Sequence, residues 1–177
     1  PGFVARAWLS RASALSTIGA SHEADEAAAS AKRWADVTND ARARAYACWA
    51  IAESRPPGDV RARGEVVAAH RLLAADGEEE RLRAAARLLV WAPDAIDGGL
   101  APLDALAARA GAAARWEWWG ARAHAVVAGT HPSGGADVLA GLRAVADAPA
   151  PLGSRGPALY AAARLAEKKV LPTPPLP

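Results

Sequence analysis

The sequence is poor in residues that mark several common protein classes. Its 177 residues include no methionine, one cysteine, one phenylalanine and two tyrosines. A single cysteine excludes an internal disulfide and fits a reducing compartment. The chain has no run of eighteen uncharged apolar residues, so we expect no membrane span. Its N-terminal segment lacks the basic start and apolar stretch of a signal peptide, and a cytoplasmic location is therefore predicted.

Positively and negatively charged residues are present in nearly equal numbers. The 21 Lys and Arg residues face 19 Asp and Glu residues, for a net charge of +2. The basic residues are spread among acidic ones along the chain and form no basic block, so we expect no direct contact with nucleic acid. Because 52% of the residues are hydrophobic, the composition also excludes a typical disordered chain.

What the sequence does contain is alanine, in about fifty positions, together with seven tryptophans. Alanine is the best helix former, and β-branched residues are scarce, so the fold class is predicted to be all-α. Breaks that carry Gly, Pro, Asp or Ser separate nine predicted helices. Their ranges are 3–19, 22–36, 39–54, 60–75, 78–91, 100–111, 113–129, 135–148 and 155–169. We assign them to one domain over 1–170, followed by a Pro-rich tail at 171–177.

The first two predicted helices carry a regular series of large and small residues. Its members are Trp8, Ala12, Leu15, Gly19, Ala24, Ala28 and Ala31. Residues four apart share a helix face, so a small residue there lets two helices approach closely. The small position recurs at Ala12, Ala47, Ala86 and Gly120, and the hairpins repeat at spacings of about 35 to 42 residues.

This series resembles the tetratricopeptide repeat (TPR). The resemblance implies a right-handed solenoid of about four antiparallel helical hairpins plus a terminal helix. The spacings vary, and the prolines that often end each repeat of that family are mostly absent, so the array is a divergent one. A helical bundle without repeats is the alternative that the sequence leaves open.

Three longer phrases extend the resemblance. They are ARARAYACWAIAES, EEERLRAAARLLVWAP and LDALAARAGAAARWEWWGARAHAVVAG. Residues 40–150 are similar to the helical-repeat region of large bacterial ATP-binding transcription regulators of the LuxR and antibiotic-regulatory types. The resemblance implies a non-catalytic module that binds a protein or senses a small-molecule effector. The lack of methionine predicts an interior piece of such a multidomain regulator.

The TPR register also implies a concave binding groove. Carried over by position, its lining comprises Arg6, Ser13, Arg44, Cys48, Arg83, Arg87, Trp91, Glu117 and His124. Four arginines favour an acidic peptide or another anionic ligand, because a guanidinium pairs with a carboxylate through two parallel hydrogen bonds. The alternative is that these arginines are ordinary solvated side chains. Uncapped repeat ends would in addition expose apolar faces, which predicts self-association.

The tetrapeptide Trp116-Glu-Trp118-Trp119 suggests two interpretations. The three rings are a candidate platform for a ligand or peptide, since aromatic faces offer area and cation–π contact. Alternatively two of the rings fill the core and the third packs on the next hairpin, since Trp116 and Trp119 share one helix face and Trp118 points elsewhere. The competing function is an all-α enzyme or ligand-binding protein with a pocket lined by Trp49, Trp91 and this cluster.

No constellation in the sequence points to chemistry. His22-Glu23 begins like the zinc motif H-E-x-x-H, but the second histidine is missing. No histidine is spaced to activate Cys48, which is interpreted as a small buried side chain. We therefore expect no catalytic residues, no metal and no cofactor.

Overall fold

A computed structural model describes residues 2–56, 58–130, 135–146, 149 and 152–167. All regular structure in these residues is helical, which confirms the all-α fold class. The helices are α1 (Gly2–Thr17), α2 (Ser21–Val37), α3 (Ala41–Glu53), α4 (Val60–Leu73), α5 (Glu78–Trp91), α6 (Ala101–Arg109), α7 (Ala112–Ala128), α8 (Gly135–Ala146) and α9 (Leu152–Glu167). A short 3-10 helix, Pro93–Ala95, precedes α6. The predicted Pro-rich tail lies outside the described residues.

Each predicted helix has a counterpart close to its expected range, because local signals set its ends. Asp40 and Asp59 cap α3 and α4, and their carboxylates accept hydrogen bonds from the backbone N–H of Ala43 and Ala62 at 2.9 and 2.8 Å. Helix α7 ends at Gly129, whose positive φ of 69° is the left-handed conformation that glycine adopts without strain. Helix α3 begins two residues later than predicted, since Asp40 serves as its cap.

The described helices form two compact units, Pro1–Gly77 and Glu78–Pro177. In the first unit α1 packs along α2, α2 packs against α3, and α3 packs along α4. Buried alanines make up most of its core, including Ala28 and Ala31 of α2 and the predicted small positions Ala12 and Ala47. Small side chains bring helix axes close together, which offsets the little apolar area that each alanine buries.

The second unit is built around α7, which contacts α5, α6, α8 and α9. The sequence pairs α5 with α6, yet α5 packs more extensively against α7. Helix α6 is only nine residues long and buries Leu106 and Ala107 against its neighbours. At the predicted small position Gly120, an added Cβ would lie 2.9 Å from the Cβ of Ala158, so α7 and α9 approach closely there.

Several large apolar side chains of the first unit are exposed, among them Phe3, Val37 and Val60. Self-association through repeat ends stays a prediction, as does a single continuous domain over 1–170. Within the residues that the structure describes, no helix is both long and apolar enough to cross a membrane.

Candidate partner-binding surface

Four charged side chains on α5 and α7 form the most coherent group among the predicted groove residues. They are Glu80, Arg83, Arg87 and Glu117, and we call them the α5/α7 charged cluster. Glu80, Arg83 and Arg87 are spaced three and four residues apart, so they share one face of α5. Glu117 reaches them from α7, which packs against α5. The structure therefore brings together three residues that the sequence predicted for the groove, Arg83, Arg87 and Glu117.

The geometry of the cluster ties both arginines to carboxylates. Arg87 Nη1 donates a hydrogen bond of 3.1 Å to Glu117 Oε2. Arg83 Nε lies 3.7 Å from Glu117 Oε1, and Arg83 Nη1 lies 3.5 Å from Glu80 Oε1. Glu80 is 8% exposed, whereas the other three side chains are 22–25% exposed. The cluster thus holds two positive and two negative charges in a half-buried, partly accessible position.

Two further groove residues lie on the same helices. Trp91 follows Arg87 by four residues on α5 and is half-buried, and its Nε1 is shielded from solvent with no hydrogen-bond partner among the described residues. His124 follows Glu117 by seven residues on α7 and is exposed. Spacings of four and seven residues keep both on the faces that carry the cluster.

The remaining groove residues belong to the first unit. Arg44 on α3 is half-buried and forms an ion pair with Asp36 of α2. Arg6 and Ser13 on α1 are exposed. Cys48 is fully buried, so its place in the predicted groove lining is wrong, whereas its interpretation as a buried side chain is confirmed.

The candidate platform of three tryptophans does not hold for Trp116 and Trp118, which are buried in the core as the alternative interpretation predicts. Trp116 is 3% exposed and packs with Val138 and Leu142 of α8, whereas Trp118 is 0% exposed and packs with residues of α5 and α6. Residues two apart point to nearly opposite sides of a helix, and α7 has neighbours on both sides. Trp119 is the partly buried member, and it packs against both core clusters.

A buried polar network that the sequence did not predict joins α6 to α7. Asp104 Oδ1 accepts hydrogen bonds from Trp118 Nε1 at 2.8 Å and from Arg122 Nη1 at 2.7 Å. Arg122 is only 3% exposed, and its guanidinium carbon lies 5.6 Å from the ring centroid of Trp119. Such a buried arginine needs its carboxylate partner, because an unpaired buried charge is costly. The only feature of the sequence that points to this network is the four-residue spacing of Trp118 and Arg122, which places both on one face of α7.

A second unpredicted group lies among three helices of the first unit. Lys32 Nζ of α2 donates a hydrogen bond of 2.6 Å to Glu65 Oε2 of α4. Burial of the Cys48 thiol on α3, and then the influence of the Glu65 carboxylate, raise the pKa of Cys48 from 9.0 to about 12. Burial alone would lower the pKa of Lys32, but the hydrogen bond to Glu65 and the nearby acidic groups raise it overall.

The raised pKa of Cys48 predicts a loss of stability in alkali. The thiol loses its proton at lower pH in the unfolded chain than in the folded one. The contribution of Cys48 to the free energy of unfolding is therefore complete below pH 9.0 and falls between pH 9.0 and about 12. Between pH 8 and pH 10 wild type should lose about 1.4 kcal/mol more unfolding free energy than Cys48→Ser, whose hydroxyl does not titrate there. Urea unfolding of both proteins at the two pH values measures this difference.

Thiol labelling provides an independent readout of the same group. A buried thiol with a raised pKa has almost no thiolate at pH 8, so native protein should react with a disulfide reagent far more slowly than urea-unfolded protein. Equal labelling rates, or equal pH dependence of wild type and Cys48→Ser, would contradict the assigned environment.

In the described part of the chain, no group of three or more His, Cys, Asp or Glu side chains is arranged to hold a metal ion. The thiol of Cys48 is buried and protonated, which is the opposite of an activated nucleophile.

Comparison with models of protein families, with curated proteins and with solved structures finds no match to this chain. The resemblances to the TPR family and to bacterial regulators therefore stay expectations from the sequence. The function is to be inferred from the geometry of the described residues.

Proposed function

We propose that this chain is a non-catalytic TPR-like module that binds an acidic segment of a protein partner through the α5/α7 charged cluster. The observation that carries the proposal is the position of Arg83 and Arg87. They lie on adjacent turns of α5, and their side chains are 25% and 24% exposed. Stacked helical repeats create extended concave surfaces that bind partners.

The environment of the two arginines suits carboxylate recognition. Partial burial strengthens each ion pair relative to bulk water, because the effective dielectric is lower. The contact with Glu80 already orients the guanidinium group of Arg83, so less side-chain entropy is lost when a ligand binds. A planar guanidinium then offers a partner carboxylate two parallel N–H donors.

The wider context of the proposal comes from the sequence. The phrases that are similar to LuxR-type and antibiotic-regulatory regulators suggest a right-handed solenoid within a cytoplasmic bacterial transcription regulator. In that setting a partner protein or a small acidic effector would bind the module and alter the activity of the parent protein. The two internal units and their close-packed alanine helices are compatible with this role.

Binding of a labelled acidic peptide tests the proposal directly. Fluorescence anisotropy of a short fluorescein-labelled poly-glutamate peptide should rise on titration with the protein, and that of a poly-glutamine peptide of equal length should not. The double variant Arg83→Gln/Arg87→Gln should weaken binding by at least about tenfold, since hydrogen bonds to charged groups each contribute about 1.5–3 kcal/mol. Added salt should weaken the wild-type interaction.

A charge-matched control separates this site from general electrostatics. Arg81→Gln/Arg143→Gln removes the same charge from two exposed positions of the same unit. It should leave the affinity within about twofold of wild type, because exposed charges are largely screened. Equal losses for both double variants, or no binding of poly-glutamate by wild type, would overturn the proposed function.

A further inference from the structure

We infer that Glu117 occupies the site at which this chain binds a carboxylate of its partner. An acidic partner binds by displacing Glu117 from Arg83 and Arg87. The inference concerns the regulation of the α5/α7 charged cluster and rests on the proposed function. Glu117 would act as a built-in competitor that weakens non-specific binding of acidic ligands.

The two glutamates of the cluster occupy different positions. Glu80 stands on the same helix as Arg83, is 8% exposed, and lies where a ligand has little access. Glu117 comes from the neighbouring helix, is 22% exposed, and contacts both arginines with one carboxylate. Glu117 is therefore the more solvent-accessible of the two carboxylates of the cluster.

Two contacts between Glu117 and the arginines are long for arginine–carboxylate pairs. Its hydrogen bond to Arg87 is 3.1 Å long, and its approach to Arg83 Nε, at 3.7 Å, is an ion pair without a hydrogen bond. Bidentate arginine–carboxylate pairs are shorter, about 2.7–2.9 Å. By contrast, Arg122 holds Asp104 at 2.6 and 2.7 Å in the same unit. A ligand free to align with the guanidinium groups has better geometry available than Glu117 uses.

Displacement has a simple consequence for affinity. While Glu117 occupies the arginines, only a fraction of the molecules present a competent site, and the apparent affinity falls by that fraction. Glu117→Gln keeps the size of the side chain and removes its charge, so it should shift the cluster towards the competent state. Tighter binding of poly-glutamate is the expected result.

Anisotropy titrations with the same labelled poly-glutamate peptide test this inference. We expect Glu117→Gln to bind at least about fivefold more tightly than wild type. Asp137→Asn, which removes one negative charge from an exposed position on α8, should change the affinity by less than about twofold. The gain should disappear in the double variant Glu117→Gln/Arg87→Gln, because the two effects act on one site.

The outcomes distinguish this inference from the proposed function. Wild-type binding that depends on Arg83 and Arg87 but is unchanged or weakened by Glu117→Gln would overturn displacement and leave the proposed function intact. An equal gain in Asp137→Asn would also overturn it, because the gain would then reflect net charge. No binding of poly-glutamate by wild type or by Glu117→Gln would overturn both. Thermal unfolding followed by circular dichroism confirms that each variant is folded.

Discussion

Replacement of Trp118 by alanine is expected to lower the free energy of unfolding of the second unit by about 3–5 kcal/mol. Trp118 is fully buried among apolar side chains of α5, α6 and α7. Its removal leaves a cavity, and Asp104 loses one of its two hydrogen-bond donors. Urea unfolding followed by far-UV circular dichroism measures the change.

Two companion variants separate the causes of this effect. Trp118→Phe keeps much of the apolar bulk but loses the indole N–H, so it should cost clearly less than alanine. Trp34→Ala removes a tryptophan that is 41% exposed, and it should cost less than Trp118→Ala because part of its ring is already in water. A loss in Trp118→Ala no larger than that in Trp34→Ala would contradict the central packing of Trp118.

Replacement of Gly141 by alanine is expected to destabilise the same unit by about 1–3 kcal/mol. Alanine normally stabilises a helix interior by up to about 1 kcal/mol over glycine. At this position, however, an added Cβ would overlap the indole ring of Trp119. The ring is rigid and packs against both core clusters, so it has little room to move. Thermal unfolding should show a lower midpoint.

A second glycine of the same unit provides the matched control. Gly156 lies in helix α9, and an added Cβ would meet no atom within 4 Å. Gly156→Ala should therefore be neutral or stabilising by up to about 1 kcal/mol. The close approach at Gly141 would be refuted if both alanine variants shifted the unfolding midpoint in the same direction by similar amounts.

The helices follow from short-range features of the sequence. Helix α5 spans Glu78–Trp91, as predicted, and its first turn carries three glutamates that favour a helix N-terminus. Asp40 and Asp59 set the starts of α3 and α4 by capping their own neighbours in sequence. These interactions involve residues no more than four apart, so sequence inspection alone finds them.

The candidate site was only partly accessible to the same reasoning. Helical register predicted that Arg83, Arg87 and Glu117 share one surface, and the structure brings them together. The role of Glu80 was not predicted, because register alone does not tell a solvated glutamate from a buried partner of Arg83. The same limit applied to the three neighbouring tryptophans, whose burial depends on which helices flank α7 on each side.

The sequence by itself determined that the described chain is helical and where each helix begins and ends to within three residues, because alanine propensity and caps act within a few residues. Only the tertiary structure decided that α7 is the centre of its unit, that Asp104 binds Trp118 and Arg122, and that Glu65 of α4 binds Lys32 of α2. Those contacts join residues 14 to 33 positions apart. Their formation depends on how whole helices pack, and in a chain this rich in alanine many packings share one pattern of small residues.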